Sequence, residues 1–546
     1  MWSIVQKRQI RKEVECKWRN RAVPLLERHD TVTPGEIETG QHCQDAAHTA
    51  SNPDLIEKSE DETANHGSKK DSTILVECES SADSIHPQNW PLARRATTML
   101  ILSLLVFTQA WAGSSEALAH NKAKAQYEVC TVAVNLTTAM YLFGIGSGCL
   151  LVGPLSESAG RLPVYLAFSV AYLFFVLGSA LSNTFISQIV CRYFVGLASS
   201  ATLGINGASV GDMFRPVERA AWYPIIAWVN VAPPVIAPIV GGWVANQPNL
   251  DWRLTEWITL IISGFAFLIA LLFLPETYLP VLLDWKAKSL RQVSGNDRYV
   301  SEHAKTSSFG ERLERNIPLS IRFTTTEPAI LALGGFLVLL YILLFSFLSG
   351  FDYIFRRTYS LTSLQEGACF ASIAIGATTF TLTAPGLYAW SKKRTSYDPN
   401  TPVVPEFRLW PAIFTAPLLP VSLFWLGWTN YANISIYSGL AACFCFGIVL
   451  NAMYVASYEY IIDSYGDHAA IALASITMMR YVIAGGMVMA ARPMYEGIGV
   501  HWTMTLLGCI AAILVPGPYL LMRYGKKLRE RSQYAISNVH ENANNN

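Results

Sequence analysis

From residue 96 to residue 522 the chain alternates between long apolar runs and polar breaks. Twelve runs stand out: 96–113, 129–152, 164–182, 186–211, 221–245, 257–275, 329–350, 366–390, 410–428, 433–461, 469–491 and 500–522. Crossing about 30 Å of hydrocarbon takes roughly 20 residues of helix. In lipid every backbone N–H and C=O must be bonded within the protein, so these runs predict membrane-spanning helices rather than strands. The breaks are short except for Glu276–Glu327, a long polar stretch between the sixth and seventh runs. Six runs, a long break and six more predict an all-α membrane protein with two six-helix bundles, 91–275 and 329–523, joined by a linker at 276–328. Halves arranged in this way commonly enclose a site near the bilayer midplane.

The flanks read differently. Between Asp30 and Asp83 thirteen acidic residues stand against three basic ones, with few aromatics. Such a segment cannot bury enough apolar surface to fold alone, so residues 1–90 are expected to be a disordered tail. The tail ends in His86-Pro87-Gln88-Asn89-Trp90-Pro91, which sets a Trp at headgroup level ahead of Arg94 and Arg95. Residues 524–546 form a second tail.

Positive charge orients the helices. Arg161, Arg215, Arg219, Lys392, Lys393, Arg394 and Arg408 fall on the side that also holds Arg94, Arg95 and the basic cluster from Arg523 to Arg531. The other side holds Lys122, Lys124, Arg253, Arg356, Arg357 and Arg492. The positive-inside rule then puts both termini in the cytoplasm. The plasma membrane is the expected location, with the vacuolar membrane as the alternative.

Composition narrows the function. The chain is 51% hydrophobic and 15% charged, against about 25% charged in soluble domains. Its net charge of +1 offers nothing to nucleic acid. The ten cysteines are scattered, without metal spacing or a disulfide framework, and His468 and His501 are solitary. No cofactor and no catalytic cluster is implied, so the chain does not read as an enzyme. The phosphate-binding pattern G-x-x-x-x-G-K-[ST] is missing, which argues against an ATP-driven pump.

The most informative break is Gly153–Val164, read as a hairpin of about ten residues between the second and third runs. It holds Gly153, Glu157, Gly160 and Arg161. Arg161 can latch a carboxylate, with Asp212 or Glu157 as partner, or it can serve only as a positive-inside charge. Further along lie Arg192 and Gly196 in the fourth run, and Ala237-Pro238-Ile239-Val240-Gly241-Gly242 in the fifth. Leu274-Pro275-Glu276-Thr277-Tyr278 closes the sixth, followed by Asp284-Trp285-Lys286-Ala287-Lys288. Together these stretches resemble the major facilitator superfamily, and within it the fungal twelve-span drug:proton antiporters. Leu162, Ala159 and Ala237 depart from the family pattern. The resemblance implies a gate built on Gly153, Glu157, Gly160, Arg161 and Asp212. It also implies coupling or pathway roles for Arg192, Gly196, Pro238, Gly241 and Gly242.

Charges inside apolar runs are costly and need partners or a water-filled cavity. Arg192 either faces a cavity or snorkels to the nearer surface. Arg480 lies mid-run in the eleventh helix, with Glu459 the nearest acid by depth, as a coupling group or a structural pair; Glu459 alternatively belongs to the inner surface with Asp463. Glu116 and Glu366 lie at run ends and are expected to be solvated. Asn135, Tyr141, Tyr341, Asn451 and Tyr454 are candidates to line a substrate cavity. The resemblance implies a monomeric transporter in the bilayer, driven by the proton gradient. It would export hydrophobic or cationic small molecules such as drugs, toxins or secondary metabolites by alternating access. Uptake of a nutrient, vitamin or polyamine by the same fold is the alternative.

Overall fold

The computed structural model describes residues 2–27, 74–78, 83–301, 309–394 and 404–535. The twelve apolar runs are twelve helical spans. The first half holds Leu92–Trp111, Thr131–Ala159, Arg161–Ala180, Phe185–Met213, Glu218–Asn246 and Leu254–Phe273. The second holds Pro328–Tyr359, Ser363–Trp390, Pro405–Trp428, Ile436–Tyr465, Ala469–Gly497 and Gly499–Arg531. These are spans 1 to 12 below. Ten are long and apolar enough to cross a membrane on composition alone. Spans 1 and 4 are more polar: Arg95, Gln109, Arg192 and Asn206 are all buried against neighbouring helices. The chain is an integral, multi-pass membrane protein. Successive spans alternate in direction, so the bundle has a Gly160 end, where span 1 starts and span 12 stops, and an opposite Gly242 end.

Within each half two helices cross at glycine contacts. A Cβ on Gly196 of span 4 would lie 2.0 Å from the Tyr141 carbonyl oxygen of span 2, and one on Gly144 would lie 2.1 Å from the Tyr193 oxygen. In the second half Gly447 of span 10 stands in the same relation to Ile373 of span 8, and Gly376 to Phe444, each at 2.1 Å. Small residues let helix backbones approach where lipid gives no hydrophobic drive between helices. The internal symmetry that is faint in the sequence is plain in these paired crossings. Gly196 is therefore a packing residue of the 2–4 crossing.

Three expectations are corrected. The stretch from Gly153 is not a ten-residue loop, because span 2 stays helical to Ala159 and the turn is the single residue Gly160, at φ 98°. Polar side chains there close bonds onto their own helix: Ser156 donates to the Gly153 oxygen and Ser158 to the Pro154 oxygen. The linker is not a plain loop either, since Leu279–Ser294 and Phe309–Thr326 are helical. The second of these buries Phe323 and packs on spans 2 and 11. Last, the expected disordered tail opens with a helix, Trp2–Glu27. The ion pairs Arg11–Glu15 and Lys17–Glu13 lie one turn apart on it, a spacing that adds about 0.2–0.5 kcal/mol each to a helix. Most of that helix belongs to a second, smaller unit formed by parts of 7–77 and 283–305. In that unit Ile74 and Leu75 pair in parallel with Tyr299 and Val300. The acidic stretch between the Trp2–Glu27 helix and Ile74 lies outside the described residues.

Candidate functional site

At the Gly160 end the turn is made by the only residue type at ease with that φ. A Cβ there would also meet the Glu276 carboxylate at 2.7 Å. Span 3 starts at once, with Arg161 buried. Its Nε donates to Asp212 Oδ2 at 3.2 Å and its Nη1 to Ser156 Oγ at 2.6 Å, and its guanidinium lies 4.8 Å from the Tyr278 ring centre. Asp212 is thus the partner of Arg161, as one of the two sequence alternatives had it. Glu157 and Gly153 lie on the last turns of span 2.

Sequence reasoning missed the role of Glu276. Its buried carboxylate accepts the backbone N–H groups of Arg161, Leu162, Thr277 and Tyr278 at 2.9–3.1 Å. It caps the exposed donors of the span 3 N-terminus, where four N–H groups lack helical partners. Burial pushes this carboxyl above its usual range, and the N–H groups of Tyr278, Leu162 and Arg161 pull the other way. An acid just after the apolar run of span 6 was the available signal.

The bonds that join the two halves at this end come from other residues. Arg219, at the start of span 5, pairs with Asp463 near the end of span 10. Arg408, at the start of span 9, is 1% exposed. Its Nε donates to Asp463 Oδ2 at 2.8 Å, its Nη1 to Glu459 Oε2 at 3.0 Å and its Nη2 to the Pro216 oxygen at 2.5 Å. Tyr388 adds a hydroxyl donor to Glu459 at 2.9 Å. Two guanidiniums and two carboxylates therefore balance across the seam, with Pro216 and Arg219 from the first half. Glu459 belongs to this cluster with Asp463, as one of its two sequence alternatives had it, and not to Arg480. The counterpart of the Arg161 position is Arg408.

At the Gly242 end the buried charge is Arg192, held between two carboxylates. Its Nη2 pairs with Glu116 at 2.8 Å and with Glu256, and its Nη1 donates to the Ala112 oxygen at 2.7 Å. Arg192 is 1% exposed, so it does not snorkel. Glu116 is buried rather than solvated, because the chain leaving span 1 folds back over Arg192 and brings Gln188 and His120 to the same carboxylate. Glu366 is buried as well, 3.9 Å from Arg356.

Span 5 is bent by its prolines. Pro238 has no N–H to give the Pro234 carbonyl one turn earlier, and the Ser114 hydroxyl takes that acceptor at 2.7 Å. The glycines three and four residues on let the helix press inward. A Cβ on Gly241 would sit 2.6 Å from the Ser115 oxygen, and one on Gly242 would sit 2.5 Å from the Ser363 oxygen of span 8. Gly367 answers from span 8, where a Cβ would lie 2.9 Å from the Pro238 oxygen. These residues form a tight seam between the halves.

The cavity candidates separate. Asn135 is not mid-span; it lies in the first turn or so of span 2 and contacts His120 Nδ1 at 3.2 Å. Tyr141 donates to the Gln109 oxygen at 2.7 Å and is packed into the 2–4 crossing. Asn451 donates to Thr381 Oγ1 at 2.7 Å, tying span 10 to span 8. Tyr341 and Tyr454 surround Arg480 at the centre, with ring centres 4.4 and 5.0 Å from its guanidinium carbon. Tyr458 at 5.4 Å and Tyr481 at 5.0 Å complete the ring of aromatics. Tyr458, one turn from Tyr454, reads from sequence as a further in-span aromatic, whereas Tyr481 was not singled out.

Comparison with known proteins agrees with this architecture. The family model described as Major Facilitator Superfamily matches residues 97–489. The chain is 36% identical over 464 residues to the MFS-type transporter kojT of Aspergillus flavus, covering 84% of this chain and 82% of that one. It is 31% identical over 467 residues to the citrinin biosynthesis cluster MFS transporter mrr1 of Monascus ruber, covering 84% and 92%. Among solved structures, the human organic anion transporter MFSD10 matches with TM-score 0.56 at 18% identity, covering 79% of this chain and all of that one. At that identity the match speaks to the fold alone.

Proposed function

The chain belongs to the Major Facilitator Superfamily, and from that premise we propose that it is a proton-coupled exporter of small organic molecules. It is a secondary transporter of the kind found in fungal metabolite gene clusters, as its likeness to a citrinin-cluster transporter supports. The observation that carries proton coupling is the Arg192 site. One buried guanidinium faces two buried carboxylates, Glu116 and Glu256. The second acid shares that guanidinium, with His120 3.9 Å from Glu116 as the one other group there, among the described residues, that can carry a positive charge, in a medium where a lone charge is expensive. Carboxylates sharing one site titrate as a coupled group, which suits proton uptake and release. In this reading the Gly160 end is cytoplasmic, with both termini inside. The Arg219–Asp463–Arg408–Glu459 cluster and the Arg161–Asp212 pair close that gate while the Gly242 seam opens. The span 5 glycines, like those of the antiporter motif they resemble, favour export over uptake.

The test is expression in a yeast lacking its own efflux pumps, scored against a broad panel of toxic compounds. The expected result is resistance to a subset, lost with a protonophore and lost in Glu256→Gln at unchanged membrane abundance. Proton-gradient-dependent accumulation inside the cells would instead establish uptake.

A further inference from the structure

Six arginines are buried among the described residues: Arg95, Arg161, Arg192, Arg219, Arg408 and Arg480. Five of them pair with a carboxylate. Arg480 does not. It is fully buried near the middle of span 11, and its Nε, Nη1 and Nη2 all lack a hydrogen-bond partner. Four tyrosine rings surround it at 4.4–5.4 Å. Ring faces attract a cation but accept none of the five N–H bonds that a guanidinium offers. A buried charge left in that condition is one of the costliest arrangements in a protein. Its donors are spare, and they are set in a planar fork.

The surroundings say what the fork would meet. The hydroxyls of Tyr341, Tyr454 and Tyr223 are also buried without partners. Tyr223 comes from span 5 of the first half, and its ring lies 6.3 Å from Tyr458 of the second. Tyr454 and Tyr458 stack 4.3 Å apart at 12°. The cluster is therefore shared by the two halves at mid-depth, where this architecture holds its cargo. It combines one unbalanced positive charge, flat aromatic walls and unpaired polar atoms.

We propose that Arg480 is the recognition residue for the cargo, and that the cargo is a small aromatic or conjugated organic anion. A carboxylate, or a pair of acidic oxygens on a conjugated ring, fits the guanidinium fork in bidentate fashion. The tyrosine rings stack on the ligand plane, and their hydroxyls meet its remaining oxygens. A cation is repelled by the same charge, which turns the sequence expectation of a cationic cargo around. Export is also the direction in which an inside-negative membrane potential moves an anion. The inference rests on the exporter reading and narrows it.

The test uses the full-length protein in proteoliposomes, with matched series of probes. The acids are benzoate, salicylate and cinnamate; each is compared with its neutral amide and with a primary amine of the same skeleton. Uptake into inside-out-oriented vesicles and direct binding are both measured. Hydrogen bonds to a charged group are worth about 1.5–3 kcal/mol, so the wild type is expected to prefer acid over amide by about 10- to 100-fold. Arg480→Gln should abolish that preference while leaving amide binding in place, and Arg480→Lys should keep part of it. The acid-to-amide ratio distinguishes recognition from a purely structural role, because a loosened fold weakens both ligands together. Transport of amines or amides that is indifferent to Arg480→Gln overturns the anion assignment and leaves the exporter reading standing. Proton-independent behaviour of every series overturns the exporter reading and this inference with it.

Discussion

In the first half Arg161 opens span 3 and pairs with Asp212 at the close of span 4, 3.2 Å away. In the second half Arg408 opens span 9 and pairs with Asp463 at the close of span 10, 2.8 Å away. The two positions are equivalent in the repeat, yet they do different work. Among the described residues, the Arg161 side chain bonds within its own half, to Asp212 and Ser156. Arg408 reaches across to the Pro216 oxygen, and its acid Asp463 is shared with Arg219 of the first half. Burial differs too: the Asp212 side chain is 23% exposed, while that of Asp463 is 7% exposed. One ancestral-looking arrangement therefore serves as a brace in one half and as a bolt between halves in the other. The difference lies in what the neighbouring helix offers and not in the pair itself.

That contrast can be broken most forcefully at the bolt. Arg408→Ala leaves Glu459 and Asp463 buried with Arg219 as the one remaining guanidinium. Removing one member of a buried ion pair costs about 3–5 kcal/mol. Thermal unfolding of the purified protein should fall sharply, and any transport should be lost. Retention of wild-type stability would show that the acids are solvated and that no bolt exists.

The next effect tests the repeat itself. Gly196→Ala and Gly447→Ala each push a methyl to about 2 Å from a backbone oxygen of the partner helix. Overpacking of this kind costs about 1–3 kcal/mol and more where backbone must move. Equal destabilisation in the two halves is expected. A tolerated change in one half would show that its crossing is looser and that the symmetry is only apparent.

Arg161→Ala comes third, at about 1.5–3 kcal/mol for the lost bonds to charged groups, because Asp212 can turn to water. Transport should suffer more than stability, since the brace shapes the mouth of span 3. Equal losses in Arg161→Ala and Arg408→Ala would erase the distinction between brace and bolt. The smallest effect is Thr381→Val, which takes one hydroxyl from Asn451 and should lower stability by about 1 kcal/mol without changing any transport. A clear transport defect there would place the span 8–10 contact in the cargo path.

The sequence went furthest where chemistry is local. Apolar runs of the right length can only be helices in lipid, so the twelve spans and the two halves were legible, with ends off by a few residues. Gly160, Arg161 and Asp212 were legible because spacing and resemblance placed them at adjoining helix ends. The sequence erred where a polar stretch had to be read by its composition. Gly153–Ala159 looks like a loop, but its serines bond back onto the helix, and Glu276, from beyond span 6, caps the start of span 3. Glu116 looked solvated because it lies just past an apolar run, and only the fold shows the chain closing over Arg192. Arg480 stood out as a costly charge, but the sequence left Glu459 open between Arg480 and the Asp463 surface, because depth along two helices does not say which faces meet.

The amino-acid sequence by itself determined that this chain crosses a membrane twelve times and where its hydrocarbon-breaking charges stand, because burial in lipid penalises each unbonded polar group regardless of fold. Which acid meets which arginine was decided only in three dimensions. Helix rotation and crossing set those partners, and they gave Arg408 two acids, gave Arg192 two acids, and left Arg480 among tyrosines with its donors open.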